Sequence, residues 1–116
     1  MECTIRWAGP DTMSFIAETG SGHSFVMDGA PEGGGRNLGP RPMEALLSGA
    51  AACTAYDVVL ILRKSGMALE GCEVVTSSER ASTDPKVFTK IHMQFNIRGR
   101  GLKANLVERA VMLSHT

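Results

Sequence analysis

Between residues 87 and 98 the chain alternates almost without exception. Val87, Thr89, Ile91, Met93, Phe95 and Ile97 are interleaved with Phe88, Lys90, His92, Gln94, Asn96 and Arg98. Successive side chains on a strand point to opposite faces, so this pattern makes one apolar face and one mostly wetted face. A sheet with a single dry face is of the antiparallel kind and lies on an element that covers that face. The cover is a helix predicted over 43–65. Pro42 suits a first turn, Glu44 stands at the positive end of the helix dipole, Arg63 and Lys64 suit the last turn, and Gly66 suits the left-handed residue that follows. From Ala45 to Ala55 nearly every residue is apolar or small, so this half of the helix has no water-facing side and is expected to be the buried axis of the fold.

The remaining segments complete an α+β chain. Ile5 and Trp7, Phe15 and Ile16, and Phe25 and Val26 mark three short strands punctuated by Gly9-Pro10-Asp11 and Thr19-Gly20-Ser21-Gly22, a meander over 1–27. Residues 28–42 hold Gly29, Pro31, Gly33, Gly34, Gly35, Gly39, Pro40 and Pro42, which predicts a long loop of functional or flexible character. Val74, Val75 and Thr76 lead through a Ser82-Thr83-Asp84-Pro85 turn into the alternating strand, giving a hairpin over 72–98 that Gly99-Arg100-Gly101 breaks. Leu106, Val107, Ala110 and Val111 recur at helical spacing, giving a second helix over 103–114. At 116 residues the chain is sized for a single domain, 1–116, with one core.

Charge excludes some partners. Lys plus Arg equals Asp plus Glu at 12 each, and the basic residues are scattered among acidic ones, so no nucleic-acid footprint is expected. The 45–62 stretch contains Ser48, Cys53, Thr54, Tyr56 and Asp57 and reads as too polar for a lipid-facing span, so no membrane is expected. No basic start with an apolar stretch and cleavage site follows Met1, which points to a cytoplasmic protein without a secretory signal. The glycines at 33, 34 and 35 lack the GxxxxGK[ST] pattern of a phosphate cradle. Cys3, Cys53 and Cys72 match neither a zinc-knuckle nor a CxxC spacing, so no metal and no cofactor is expected, and an odd number of cysteines in a reducing compartment implies free thiols. His23, His92 and His115 have no partner in the pattern.

Cys53 is the thiol of interest. Taken alone, a cysteine among alanines on a helix packs like a small hydrophobe and is inert. About eleven residues into its helix, its neighbouring N–H groups are already bonded, so the terminal dipole does little for a thiolate, and Asp57 one turn on opposes one. Activation therefore requires a cation from elsewhere. Arg36 and Arg41, in the loop before the helix, are the candidates from this subunit or a partner.

Gly39-Pro40-Arg41-Pro42-Met43-Glu44-Ala45-Leu46-Leu47 followed by Ala51-Ala52-Cys53-Thr54-Ala55-Tyr56-Asp57-Val58-Val59 resembles the central-helix signature of the OsmC/Ohr superfamily. The segments at 85–92, 99–102 and 108–111 resemble it too, and within the superfamily the match is to the YhfA-like branch over nearly the whole chain. The resemblance implies antiparallel sheets packed on a long buried central helix plus a second helix, in an intertwined homodimer with thiol sites at the interface. It further implies reduction of organic hydroperoxides by Cys53, assisted by Arg36 or Arg41, with Glu44 as the carboxylate that holds the arginine. Met43, Leu46, Leu47, Tyr56 and Asp57 would line the substrate pocket. Two departures stand out. Met43 occupies the place of the family's arginine-holding Glu, and Glu44 comes one residue later, a turn of about 100° on a helix. The family's second cysteine would lie beyond Thr116 with the closing elements, so an external thiol reductant would have to finish the reaction. The alternative is a non-catalytic dimer that binds a small apolar ligand or senses redox state, and a further reading takes the chain as a fragment.

Overall fold

Residues 1–114 are described by a computed structural model, in which three strands, a helix, two further strands and a second helix follow one another. Expectations about His115 and about a second cysteine and closing elements beyond Thr116 lie outside the described residues. Contacts divide the chain into two compact units, 1–48 and 49 onward, where the length suggested one core.

In the first unit, β1 (Cys3–Trp7), β2 (Phe15–Thr19) and β3 (Ser24–Met27) form an antiparallel sheet in that order. Trp7 stands opposite Phe15 and Phe15 opposite Met27, while Ile5 stands opposite Ala17 and Ala17 opposite Phe25. One face is thus apolar by register alone. The β2–β3 connection is closed by the Thr19 N–H donating to the His23 carbonyl and the Gly22 N–H to the Thr19 carbonyl.

The glycine- and proline-rich segment that follows is ordered by its own hydrogen bonds. Its one regular piece is a short 3₁₀ turn, Pro31–Gly33. The Ala30 carbonyl accepts the N–H groups of Gly33 and Gly35, and the Asp28 N–H donates to the Pro40 carbonyl, closing the loop onto the end of β3. Gly35 lies against the Gly29 backbone so closely that a Cβ there would come 2.0 Å from the Gly29 carbonyl oxygen. That approach requires glycine. Gly35→Ala is expected to displace the loop and cost about 1–3 kcal/mol, the usual range for a forced backbone shift, read as a lower denaturant midpoint; an unchanged midpoint would contradict the packing.

α1 (Pro42–Lys64) begins in the first unit and runs most of its length in the second, followed by β4 (Ala68–Arg80), β5 (Phe88–Arg100) and α2 (Ala104–Ser114). α1 ends in a Schellman motif, with Gly66 at φ 79 donating to the Arg63 carbonyl and Met67 donating to the Leu62 carbonyl. β4 and β5 pair antiparallel, with Cys72 opposite Ile97, Val74 opposite Phe95 and Thr76 opposite Met93. The expected break at Gly99 does not occur. Gly99 pairs with Leu69, and a Cβ there would meet the Ala68 carbonyl oxygen at 2.5 Å, so this glycine admits the neighbouring strand instead of ending its own. The hairpin is correspondingly longer than 72–98, with a register shift between Leu69 and Gly71.

The core of this unit is Val58, Leu62 and Ala110, all fully buried, ringed by Ile61, Met67, Leu69, Phe95, Ile97, Val107 and Val111. Val58, Ile61 and Leu62 recur at the three- and four-residue spacing of one helix face, and Val107, Ala110 and Val111 do the same on α2. The dry face of β5 is covered only where Met93, Phe95 and Ile97 lie; Val87 and Ile91 are exposed.

Two expectations about α1 need correction. Its first half is not buried by this chain: Ala51 is buried, but Leu46 is 60% exposed and Ser48, Gly49, Ala52 and Cys53 are also exposed. The chain's own sheet and second helix reach only the later turns, which leaves apolar surface where a helix without a polar side was expected to be enclosed. Second, by length and composition α1 is long and apolar enough to cross a bilayer, contrary to the reading of 45–62 as too polar. What marks it as a core helix is the packing of Val58 and Leu62 against β5 and α2 residues.

Candidate functional site

Cys53 projects from the middle of α1 into solvent. At 1.5 Å per residue it stands about 16 Å along the axis from the first helical residue, well beyond the free N–H groups of the first turn. It lines a shallow depression of about 390 Å³ with Ala52, Tyr56 and Asp57. The reading of Cys53 as a buried thiol is therefore corrected: in this chain the residue is exposed.

A second depression of about 350 Å³ adjoins it, lined by Ala52, Ala55, Tyr56, Val59, Leu60, Arg63 and Cys72. Ala52 and Tyr56 belong to both, and Tyr56 is 71% exposed. Residues 52, 55, 56, 59 and 63 make one stripe of α1, and Cys72 reaches it from β4. Burial pushes the Cys72 thiol above its ordinary value of 9.0, which disfavours its thiolate. Of the pocket residues expected from the sequence, Tyr56 and Asp57 line the Cys53 depression; Met43, Leu46 and Leu47 line neither depression.

Arg36, Arg41 and Glu44 belong to the first unit. Arg41 is the residue from which α1 springs, its carbonyl accepting the Ala45 N–H at 3.0 Å. Glu44, three residues on, turns back so that its Oε1 accepts the Arg41 backbone N–H at 2.8 Å, half of a capping box. Glu44 thus holds Arg41 by its main chain, not by its guanidinium. The Arg41 Nη1 donates instead to Asn37 Oδ1 at 2.9 Å and to the Gly39 carbonyl at 3.4 Å. Among the described residues the ion pairs are Arg6–Glu18 and Arg100–Glu70, and neither includes Arg36, Arg41 or Glu44.

The sequence reading missed Asp28. It is 1% exposed, and its carboxylate accepts the N–H of Gly29 at 2.7 Å and those of Arg36 and Leu38 at 3.2 Å each. An Asp directly after an apolar strand and at the head of a glycine-rich loop is the residue type that gathers such N–H groups, and that was the available signal. Burial by itself raises the Asp28 carboxyl; the bonds from Leu38, Gly29, Ser14 and Arg36 outweigh it and leave the group below its ordinary 3.8. A carboxyl held low in the fold stabilises fully above its unfolded value and loses that contribution as pH falls through the folded one. Titrating from neutral pH to below 3.8 is therefore expected to lower the urea midpoint of the protein more than that of Asp28→Asn, so the two curves converge; parallel curves would contradict the assignment.

Among the described residues no three His, Cys, Asp or Glu side chains are gathered to hold a metal ion. Residues 33–116 match the family model for OsmC-like protein. The chain belongs to the OsmC-like family. It is 40% identical over 114 residues to Protein YhfA of Escherichia coli K12, spanning 98% of this chain and 81% of YhfA. A structural-genomics structure at 38% identity superposes with a TM-score of 0.85, covering all of this chain and 82% of the other. At 21% identity the fold is shared with an organic hydroperoxide resistance protein OsmC from Legionella pneumophila, at a TM-score of 0.64 over 98% of this chain and 80% of that one. The α+β architecture of antiparallel sheets and two helices is that of the OsmC-like family.

Proposed function

We propose that this OsmC-like protein reduces organic hydroperoxides through Cys53, working as a homodimer. The observation that carries the reading is an exposed thiol on the central helix of a chain from this family, set among Ala52, Tyr56 and Asp57 and beside an apolar trough. The thiolate sulfur attacks the terminal peroxide oxygen and the O–O bond breaks. Sulfur is oxidised by two electrons to the sulfenic acid, and the alkoxide leaves as the alcohol after taking a proton. A small external thiol then condenses with the sulfenic acid, releasing water and forming a mixed disulfide. A second equivalent of that thiol restores Cys53 and departs as the disulfide.

An arginine supplied by Arg36 or Arg41 stabilises the thiolate and receives the departing oxygen. Apolar residues of the trough favour alkyl or aryl hydroperoxides over hydrogen peroxide. The uncovered first half of α1 supports a homodimer, since an apolar helix surface is stable only when covered. A cytoplasmic setting would keep the external thiol reduced.

The trough itself favours a second reading, in which a small apolar ligand binds there and Cys53 serves packing or redox sensing. One experiment separates the two. Stopped-flow mixing with cumene hydroperoxide is expected to consume one thiol per subunit through Cys53. Saturable binding of the hydroperoxide with no loss of thiol would replace the catalytic reading by the binding one.

A further inference from the structure

The trough that adjoins the Cys53 depression is apolar along its length and charged at one end. Ala52, Ala55, Tyr56, Val59 and Leu60 form its walls, and Arg63 is the one charged residue among the described residues that line it. All of them belong to the second unit. Ala52, Tyr56, Val59 and Arg63 recur three or four residues apart and so share one face of α1. From Ala52 to Arg63 the helix advances about 16 Å.

Local structure does not use up Arg63. Its charge suits the last turn of α1, but that role needs no hydrogen bond from the guanidinium. The residue is exposed, and its fork of N–H donors has no acceptor or ion-pair partner among the described residues. Glu70 lines the next depression together with Arg63, yet its carboxylate is paired with Arg100 at 3.1 Å. A planar guanidinium at the end of an apolar wall matches a carboxylate through two parallel bonds, while the stem of the side chain adds apolar surface. On the other side, Asp57 lines the depression that shares Ala52 and Tyr56 with the trough. Its negative charge repels an anion there, so the two ends of this surface have opposite preferences.

We propose that the trough is a binding site for a linear amphiphilic anion, a medium-chain carboxylic acid, with its carboxylate on Arg63 and its tail running along Val59, Tyr56 and Ala52. Carbon–carbon bonds of about 1.5 Å in a zigzag make about a dozen carbons the longest tail that fits between the two ends. Burial of the tail supplies affinity, and Arg63 sets the orientation and the preference for the head group. The inference goes beyond the reading of Cys53 as a peroxide-reducing thiol and does not depend on it, because binding is read without any reaction.

The chain has one tyrosine, Tyr56, and it lines the trough. Fluorotyrosine in the full chain therefore gives a single ¹⁹F resonance that reports occupancy. Titration with decanoate, kept below its micelle concentration, is expected to shift that resonance saturably. Arg63→Gln keeps a good helix former and removes the charge, and its Kd for decanoate is expected to be about tenfold weaker, the worth of one charge-assisted pair. Decyltrimethylammonium carries the same tail with the opposite charge. It is expected to bind the unaltered protein about tenfold more weakly than decanoate, a ratio that collapses in Arg63→Gln. Absence of a saturable shift with decanoate, equal affinity for the two head groups, or an unchanged Kd in Arg63→Gln overturns the proposal. The head-group comparison uses the unaltered protein, so it decides the matter even if the variant fails to fold.

Discussion

Cys53→Ser is expected to abolish the consumption of cumene hydroperoxide, with a fall on the order of 10³-fold or more. Serine differs from cysteine by one atom and the site is exposed, so the change leaves no cavity and does not perturb the core of Val58, Leu62 and Ala110. What disappears is the nucleophile. A hydroxyl is hardly ionised near neutral pH and is a poor attacker of an O–O bond, whereas a thiolate is soft and polarizable. Cys3 and Cys72 provide internal controls, because both remain in the variant. Cys72 is the less reactive of these by its surroundings, its thiol being pushed up by burial. Serine at Cys3 is expected to leave the rate within about twofold. Should Cys53→Ser consume peroxide as fast as the unaltered protein, Cys53 is not the attacking group.

Leu62→Ala is expected to carry the largest stability cost, about 2–5 kcal/mol. Leu62 is fully buried where α1 meets residues of β5 and α2, and its carbonyl also accepts the Met67 N–H that closes the helix end. Truncation removes the transfer energy of three carbons and leaves a cavity between elements that cannot all close on it. For a marginally stable chain this is a large share of the total, and the urea midpoint should fall accordingly. Met112→Ala, at a position 71% exposed, is expected to stay within about 0.5 kcal/mol. Equal midpoints for the two variants would mean that this cluster is not the core.

Much of the architecture was readable because it is periodic. The alternation through Ile97, the helical spacing of Val107, Ala110 and Val111, and the Arg63, Lys64 and Gly66 ending of α1 each express local geometry that repeats over a few residues. The family was readable through the central-helix signature around Cys53. Gly99 misled because a glycine in a strand pattern marks either a break or a close approach, and only the Ala68 carbonyl above it distinguishes them.

Three matters were settled by the tertiary structure alone. The exposure of Cys53 depends on which side of α1 the sheet covers, and composition is the same on every side of that stretch. The role of Glu44 as a main-chain cap depends on the direction in which its side chain turns back. The order of the 28–42 loop depends on Asp28 reaching N–H groups eight and ten residues away, a bond pattern that has no period to detect. The amino-acid sequence by itself thus determined the elements and their order, since these follow from local stereochemistry. Which faces are covered was decided by contacts between residues distant along the chain, and which arginine is held by the direction in which neighbouring side chains turn.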